Sequence, residues 1–429
     1  MAEAAGRERM RFPLYLQIVV AIAVGLVVGS VLGEQAQGLG EIGRLVIQLI
    51  KAAATPLLFL AIVNAIVKTE ISGRSAARLF SWATLNASIA LTIGLLISNV
   101  FEPGRSLADV ARVEPAAAAA YADKQIDLLG TLSTFVPVSL VSPFAENLVL
   151  SIILIAVLVG FGLRRARREQ VAAGASAFRP VEDAVETLLR VMEIVLIWVI
   201  QLIPFAVFGV VAKSVGEHGW APLKGLAVYV LVGVAGLVVH IAVTYQAWLL
   251  LFTRLPLRRF WREAREPVVT AVGVNSSLAT LPVTLRALDR LKVSRSSSAL
   301  GACVGTNFNN DGIILYEGMA VLFVAQAAGI DLSLGQQLVA AAACMVAAMG
   351  VAGVPEAGFV SLALVLNTVG LPLEVLPLLL TVDWIIARGR SVANVLSDMM
   401  LSILIDRSAG ARAAESGPER LDSGLATDR

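Results

Sequence analysis

The sequence predicts an all-α membrane protein of spanning helices and two helical hairpins that enter the membrane and turn back. Three observations lead there. Of 429 residues, 57% are hydrophobic and only 15% charged, where a soluble domain carries about a quarter charged residues. Apolar runs of spanning length alternate with short basic clusters along the first 253 residues. In the remainder, a short hairpin followed by a span carrying polar groups occurs twice, the two hairpins entering from opposite sides.

Taken in order, apolar runs lie at 13–33, 41–67, 77–101, 138–163, 186–213 and 221–253, each long enough to cross a hydrocarbon core. The first is too long for a signal-peptide core and reads as a retained helix. Arg7, Arg9 and Arg11 precede it; Lys68, Arg74 and Arg78 follow the second run; Arg164, Arg165, Arg167 and Arg168 follow the fourth; Arg254, Arg258, Arg259, Arg262 and Arg265 follow the sixth. The positive-inside rule places all of these, and the N-terminus, in the cytoplasm. Residues 102–130, Ala-rich and mixed in charge, then read as an outer loop.

Residues 267–290 are too few to cross twice, and Asn275-Ser276-Ser277 stands at their middle, so they read as a hairpin from the cytoplasmic side. A span at 300–324 is broken between Gly305 and Gly312. Residues 337–370 form two apolar arms around the tip Gly350-Val-Ala-Gly353-Val-Pro355-Glu356-Ala-Gly358, and a last helix covers 373–405. Irregular backbone at membrane depth survives only where protein or a cavity satisfies it. Paired interrupted segments mark an inverted repeat with its binding site at the midplane. The tail from about 407 is polar and reads as disordered.

The last helix carries Asp383, Arg390, Asn394 and Asp398, which at 100° per residue fall within about 80° of one another. Ionisable groups at membrane depth are functional by default. One helix face thus offers an anion-binding guanidinium beside several hard oxygens. Cys303 and Cys344 lie in apolar runs with no metal-ligand spacing, and neither a His-Glu-x-x-His nor a hydrolase elbow is present, so an enzyme is not expected.

Four motifs together resemble the dicarboxylate/amino acid:cation symporters, the glutamate transporter family. They are Ser276-Ser277-Leu-Ala-Thr-Leu-Pro282-Val-Thr, Gly305-x-x-x-Asn309-x-Asp311-Gly312, Ala352-Gly353-Val-Pro355, and Asp383-x6-Arg390-x3-Asn394-x3-Asp398. The resemblance covers about residues 10–405. It implies eight transmembrane helices plus two re-entrant hairpins in an inverted-repeat elevator fold, and a homotrimer. It divides the chain into a cytoplasmic segment at 1–12, scaffold helices at 13–75, a transport-domain helix at 76–101, an outer loop with scaffold helices at 102–220, the remaining transport domain at 221–405 and a cytoplasmic tail at 406–429.

The resemblance also implies residue roles. Arg390 would clamp a substrate carboxylate, aided by Ser276, Ser277, Asn310, Ser391 and Asn394 and by Val354 and Gly358 of the second hairpin. The plain alternatives are an ion pair of Arg390 with Asp383 or Asp398, and simple capping of a broken helix by the serines. Gly305, Asn309, Asn394 and Asp398 resemble one sodium site, and Asp311 a ligand of a second. The hydroxyls that complete the second site in the family are replaced by Asn86 and Ala87, so Asn86 would have to serve through its oxygen, and the site is altered or absent. Backbone at Gly350–Ala352 resembles a further cation site.

Departures narrow the substrate. Ala387 stands where acidic amino acid carriers have an aspartate for the substrate amine; Ile313 replaces a hydroxyl residue, Leu278 a serine and Asn310 a methionine. A C4 dicarboxylate is therefore expected over an amino acid. Arg388 and Glu356 are positioned to pair across a gate, or Arg388 simply faces water; His240 reads as a packing residue with a proton relay as the alternative, and His218 as lying in an outer loop. The expected protein is a multi-pass, cation-coupled symporter of a cell membrane, with sodium as the cation and a proton as the alternative. It takes a small carboxylate, contacts lipid and has no nucleic-acid partner. The competing readings are an amino acid symporter of the same family and an anion channel on the same scaffold.

Overall fold

A computed structural model describes residues 14–68, 73–107, 136–146, 148–174, 178–253, 255–348 and 357–415. Backbone groups in lipid must close their hydrogen bonds within the chain, which leaves helices or closed barrels. The described residues form helices and no strand.

Helix α1 (Leu14–Leu32) passes through a 3₁₀ turn, Gly33–Leu39, into α2 (Gly40–Lys68). Then come α3 (Gly73–Phe101), the short α4 (Ser142–Glu146) and α5 (Val149–Ala172). The expected run at 186–213 is two helices, α6 (Arg179–Ile200) and α7 (Ile203–His218). Pro204 sits in the first turn of α7, where a missing N–H costs nothing, so the chain restarts a helix there. His218 ends α7 rather than lying in a loop, with Glu217 at 3.9 Å. Helix α8 (Ala221–Val239) runs through a π-helical turn, His240–Tyr245, into α9 (Gln246–Phe252). Four stretches are long and apolar enough to cross a membrane: Leu16–Lys68, Ala77–Phe101, Arg179–His218 and Pro222–Phe252.

The first hairpin is α10 (Leu257–Val274) and α11 (Ser277–Arg290), so its first arm begins earlier than residue 267. The chain reverses in two residues. Asn275 adopts a left-handed conformation at φ 50°, and Ser276 is extended and accepts the Ala279 N–H at 3.1 Å. Arg290 ties the base of the arms together through Glu263 at 2.7 Å and Glu266 at 3.1 Å, and Arg286 reaches Glu266 at 3.2 Å. Hydrogen bonds from Arg262 and Arg290 hold the Glu263 carboxyl below its usual range, and those from Arg286 and Arg290 do the same for Glu266.

The expected break in the next span is present. A single turn, α12 (Arg295–Ser298), gives way to a π-helical turn (Ala299–Val304) and a 3₁₀ turn (Gly305–Asn307) before α13 (Asp311–Ala327). Helices α14 (Leu334–Ala348) and α15 (Ala357–Val369) are the arms of the second hairpin, and α16 (Leu376–Glu415) runs past the expected end near 405 into the expected tail. The N-terminal segment, nearly all of the 102–130 loop, the Gly350–Glu356 tip with Val354, and the chain beyond Glu415 lie outside the described residues.

Packing sorts the helices into two groups. Helix α1 lies along α7, and α2 packs on α5, α6 and α7; α3, α14, α15 and α16 all pack on α13, with α10 and α11 against α16. A helix apolar on every side belongs in an interior, and nearly every residue of α13 is buried. Small residues permit the close crossings: a Cβ on Gly94 of α3 would stand 2.5 Å from the Leu315 carbonyl oxygen of α13. Large apolar side chains such as Val31, Val100, Trp198 and Phe205 face outward.

Candidate functional site

The polar face of α16 meets the broken segment before α13, and both first-hairpin arms and the second hairpin close around them. Arg390, 3% exposed, donates from Nη1 to Asp383 Oδ1 at 2.6 Å and from Nη2 to Asp383 Oδ2 at 2.9 Å. This is the fork geometry that only a guanidinium supplies. Its carbon sits 4.0 Å from the centre of the Tyr316 ring, a cation–π stack. Gly358 of α15 packs close to the guanidinium: a Cβ there would lie 3.1 Å from Arg390 Nε. A Cβ on Gly312 would lie 2.5 Å from the Arg390 carbonyl oxygen and 2.8 Å from its Cα, so glycine lets α13 and α16 touch backbone to backbone. Of the two ion-pair partners anticipated for Arg390, Asp383 is the one engaged.

Three consecutive polar residues, Asn309 to Asp311, lead into α13. Asn309 donates from Nδ2 to Ser397 Oγ at 2.7 Å and to Asp398 Oδ1 at 3.5 Å, while its own Oδ1 is buried without a partner among the described residues. Gly305 borders Asp398 closely enough that a Cβ would stand 3.5 Å from Oδ1. Asn310 donates to the Ala348 carbonyl at 2.9 Å, tying the site to the first arm of the second hairpin, and accepts from Asn394 Nδ2 at 3.3 Å. Asn394 Oδ1 accepts the Gly312 N–H at 2.9 Å. Asp311 Oδ2 accepts from Ser397 Oγ at 2.6 Å and Tyr245 OH at 3.2 Å and meets His240 Nε2 at 3.3 Å. Asn86 donates to Ser397 Oγ at 3.4 Å, and its own oxygen accepts from Trp248 Nε1 at 2.6 Å.

At the first hairpin tip, the Ser276 hydroxyl caps α11 and the Ser277 hydroxyl accepts from Thr306 at 3.2 Å. Ser391 donates to Asn275 Oδ1 at 2.9 Å, so the tip is tied to α16. Leu278 is 41% exposed, whereas Ile313 and Ala387 are buried. Arg388 bonds to the Trp384 carbonyl within its own helix and stacks over the Trp384 ring at 5.6 Å; Glu356 lies outside the described residues.

Several site residues escape reading by motif. His240, Tyr245, Trp248 and Ser397 converge on Asp311 and Asn86 from three helices. Glu317, fully buried six residues beyond Asp311 in α13, accepts from the Ser361 hydroxyl. Only Ser397, adjacent to Asp398 on the polar face, carried a signal in its spacing.

The profile of the sodium:dicarboxylate symporter family matches residues 14–408. The chain is 31% identical to a C4-dicarboxylate transport protein of Rhodospirillum rubrum, covering 92% of this chain and 88% of that protein. It is 30% identical to one of Rhizobium meliloti, covering 95% and 92%, and 29% identical to one of Bordetella avium, covering 92% and 89%.

Proposed function

The chain belongs to the sodium:dicarboxylate symporter family, a family of transporters rather than enzymes, and on that premise we propose that it carries a C4 dicarboxylate across a cell membrane together with sodium. The carrying observation is the environment of Arg390. A buried guanidinium clamp stands three residues from Ala387, which is 1% exposed and offers no charge to an ammonium group. Asp383 is taken up by Arg390 itself. A buried amine without a counter-charge is penalised heavily, while a dicarboxylate meets the clamp without that penalty. The relatives' shared name, C4-dicarboxylate transport protein, agrees with this reading.

Sodium is read from Asn309, Asn394 and Asp398 with the Gly305 backbone. Asn309 keeps a buried Oδ1 with no partner among the described residues, while its Nδ2 reaches Asp398 Oδ1 at 3.5 Å, and an open amide oxygen on a residue next to a carboxylate suits a hard cation. The group built on α13, comprising α3, α8–α11 and α13–α16, moves as the elevator against the group of α1, α2 and α5–α7, in a homotrimer. Substrate displaces Asp383 from part of the Arg390 fork, and Ser276, Ser277, Asn310, Ser391 and Gly358 close around it.

Uptake into liposomes holding the purified protein tests this. Succinate, fumarate and malate are expected to compete better than aspartate, only with a sodium gradient, and Asp398→Asn is expected to weaken the sodium dependence. Preferred uptake of aspartate, or equal uptake in sodium and choline, contradicts the reading.

A further inference from the structure

The family's second side-chain sodium site, at Asp311, does not survive a check against the groups around it. Hard-cation sites use roughly six oxygen ligands. Ala87 supplies none with its side chain. Asn86 Oδ1 is held by Trp248 Nε1 at 2.6 Å, and its Nδ2, a donor that repels a cation, turns toward Ser397. Ser397 Oγ accepts from Asn309 at 2.7 Å and gives its proton to Asp311 at 2.6 Å, so the hydroxyl is spent. Asp311 Oδ2 faces Ser397 and His240, and Tyr245 shares its one hydroxyl proton between Asp311 Oδ2 at 3.2 Å and the Ala393 carbonyl at 3.0 Å. With the ring proton on Nε2, His240 donates to Asp311 and accepts from Thr244, 3.1 Å from Nδ1, which uses both ring nitrogens. Two side-chain oxygens of this cluster have no partner among the described residues, Asp311 Oδ1 and Asn309 Oδ1.

We propose that Asp311 binds no sodium in this protein: a cage of hydrogen-bond donors from the π-helical turn, α9 and α16 takes the place of the ion, and substrate is coupled to one cation fewer than a site at Asp311 would supply. Donors aimed at a buried carboxylate stabilise its charge as a cation does. They cannot leave with the substrate. The cage thus performs the structural part of the ion's task, joining α3, α9, α13 and α16, and drops the energetic part. This inference rests on the transport reading above.

The test separates the two. Succinate affinity is measured calorimetrically on the detergent-purified protein over a range of sodium concentrations, for the wild type, Asp311→Asn, Ser397→Ala and Asp398→Asn. The slope of log Kd against log sodium counts the ions linked to binding. Asp311→Asn and Ser397→Ala are expected to shift Kd equally at every sodium concentration and to keep the wild-type slope, whereas Asp398→Asn flattens it. A slope lowered by about one ion in Asp311→Asn overturns the proposal. If either cage variant binds succinate too weakly to titrate, the rise in melting temperature with sodium alone is read instead. A rise equal to that of the wild type supports the cage, and a smaller one refutes it. Sodium-independent binding in the wild type refutes the coupling read at Asp398 while leaving Asp311 sodium-free as proposed.

Discussion

In Arg390→Lys the positive charge stays and the fork goes. The wild-type guanidinium is 3% exposed, makes two parallel bonds of 2.6 and 2.9 Å to Asp383, and stacks 4.0 Å from the Tyr316 ring centre. An ammonium on a shorter stem can make one of those bonds well but not the pair, and it sits differently on the ring. If a substrate carboxylate takes over the same fork, lysine forfeits one charge-assisted bond to it, worth about 1.5–3 kcal/mol. That is roughly a tenfold to 150-fold weaker Kd for succinate. Titration calorimetry at saturating sodium reads this directly. Asp383→Asn makes the companion measurement. It leaves Arg390 without its counter-charge in the empty protein, a loss on the order of 3–5 kcal/mol, which arriving substrate makes good. Its melting temperature is therefore expected to fall, and its rise on adding succinate to exceed that of the wild type. Unchanged succinate affinity in Arg390→Lys would show that this arginine never meets the substrate. No enlarged thermal shift in Asp383→Asn would show that the two carboxylates do not share the fork.

Three further outcomes follow from named contacts. Ala387→Asp places a carboxylate three residues from Arg390 and is expected to raise aspartate affinity relative to succinate; competition assays that leave the ratio unmoved contradict the assignment of Ala387. Gly312→Ala drives a methyl group to 2.5 Å from the Arg390 carbonyl oxygen, so it is expected to cost about 1–3 kcal/mol, seen as a lower melting temperature and weaker succinate binding together. At the base of the first hairpin, Glu263 and Glu266 have lowered pKa values through their arginine bonds. Their stabilisation is present above the ordinary glutamate pKa of about 4.3 and is lost as pH falls through it toward the lowered values. The melting-temperature gap between the wild type and Arg290→Met should close on acidification over that interval, and a gap constant with pH excludes these pairs as its source.

How legible each part was depended on what kind of interaction made it. Apolar runs and basic clusters act over lengths of many residues, so the apolar stretches that hold α1–α3 and α6–α9 were readable before any packing was known. The tip at Asn275–Ser276 was readable because few residues suit a left-handed turn followed by a helix cap. The split of the fifth run at Gln201 was missed although Pro204 marked it, because the apolar composition continues unbroken across the bend. Early extension of α10 to Leu257 was missed because the charged residues before 267 read only as a cytoplasmic cluster, whereas α11 supplies Arg286 and Arg290 as partners for Glu263 and Glu266. His240 read as a packing residue because no local pattern links it to Asp311, 71 positions away.

By itself, then, the chain determined its all-helical class, several of its apolar helices, the tip of its first hairpin and the polar face of its last helix, because hydropathy and helical period are properties of neighbours in sequence. Tertiary structure decided what that face does with its charges. It set Arg390 on Asp383 rather than Asp398, left the Asn309 oxygen without a partner among the described residues, and aimed donors from other helices at Asp311 Oδ2. Those outcomes depend on which groups come within about 3 Å of each other across helices, the range over which a hydrogen bond is made or lost, and no spacing along one chain encodes that distance.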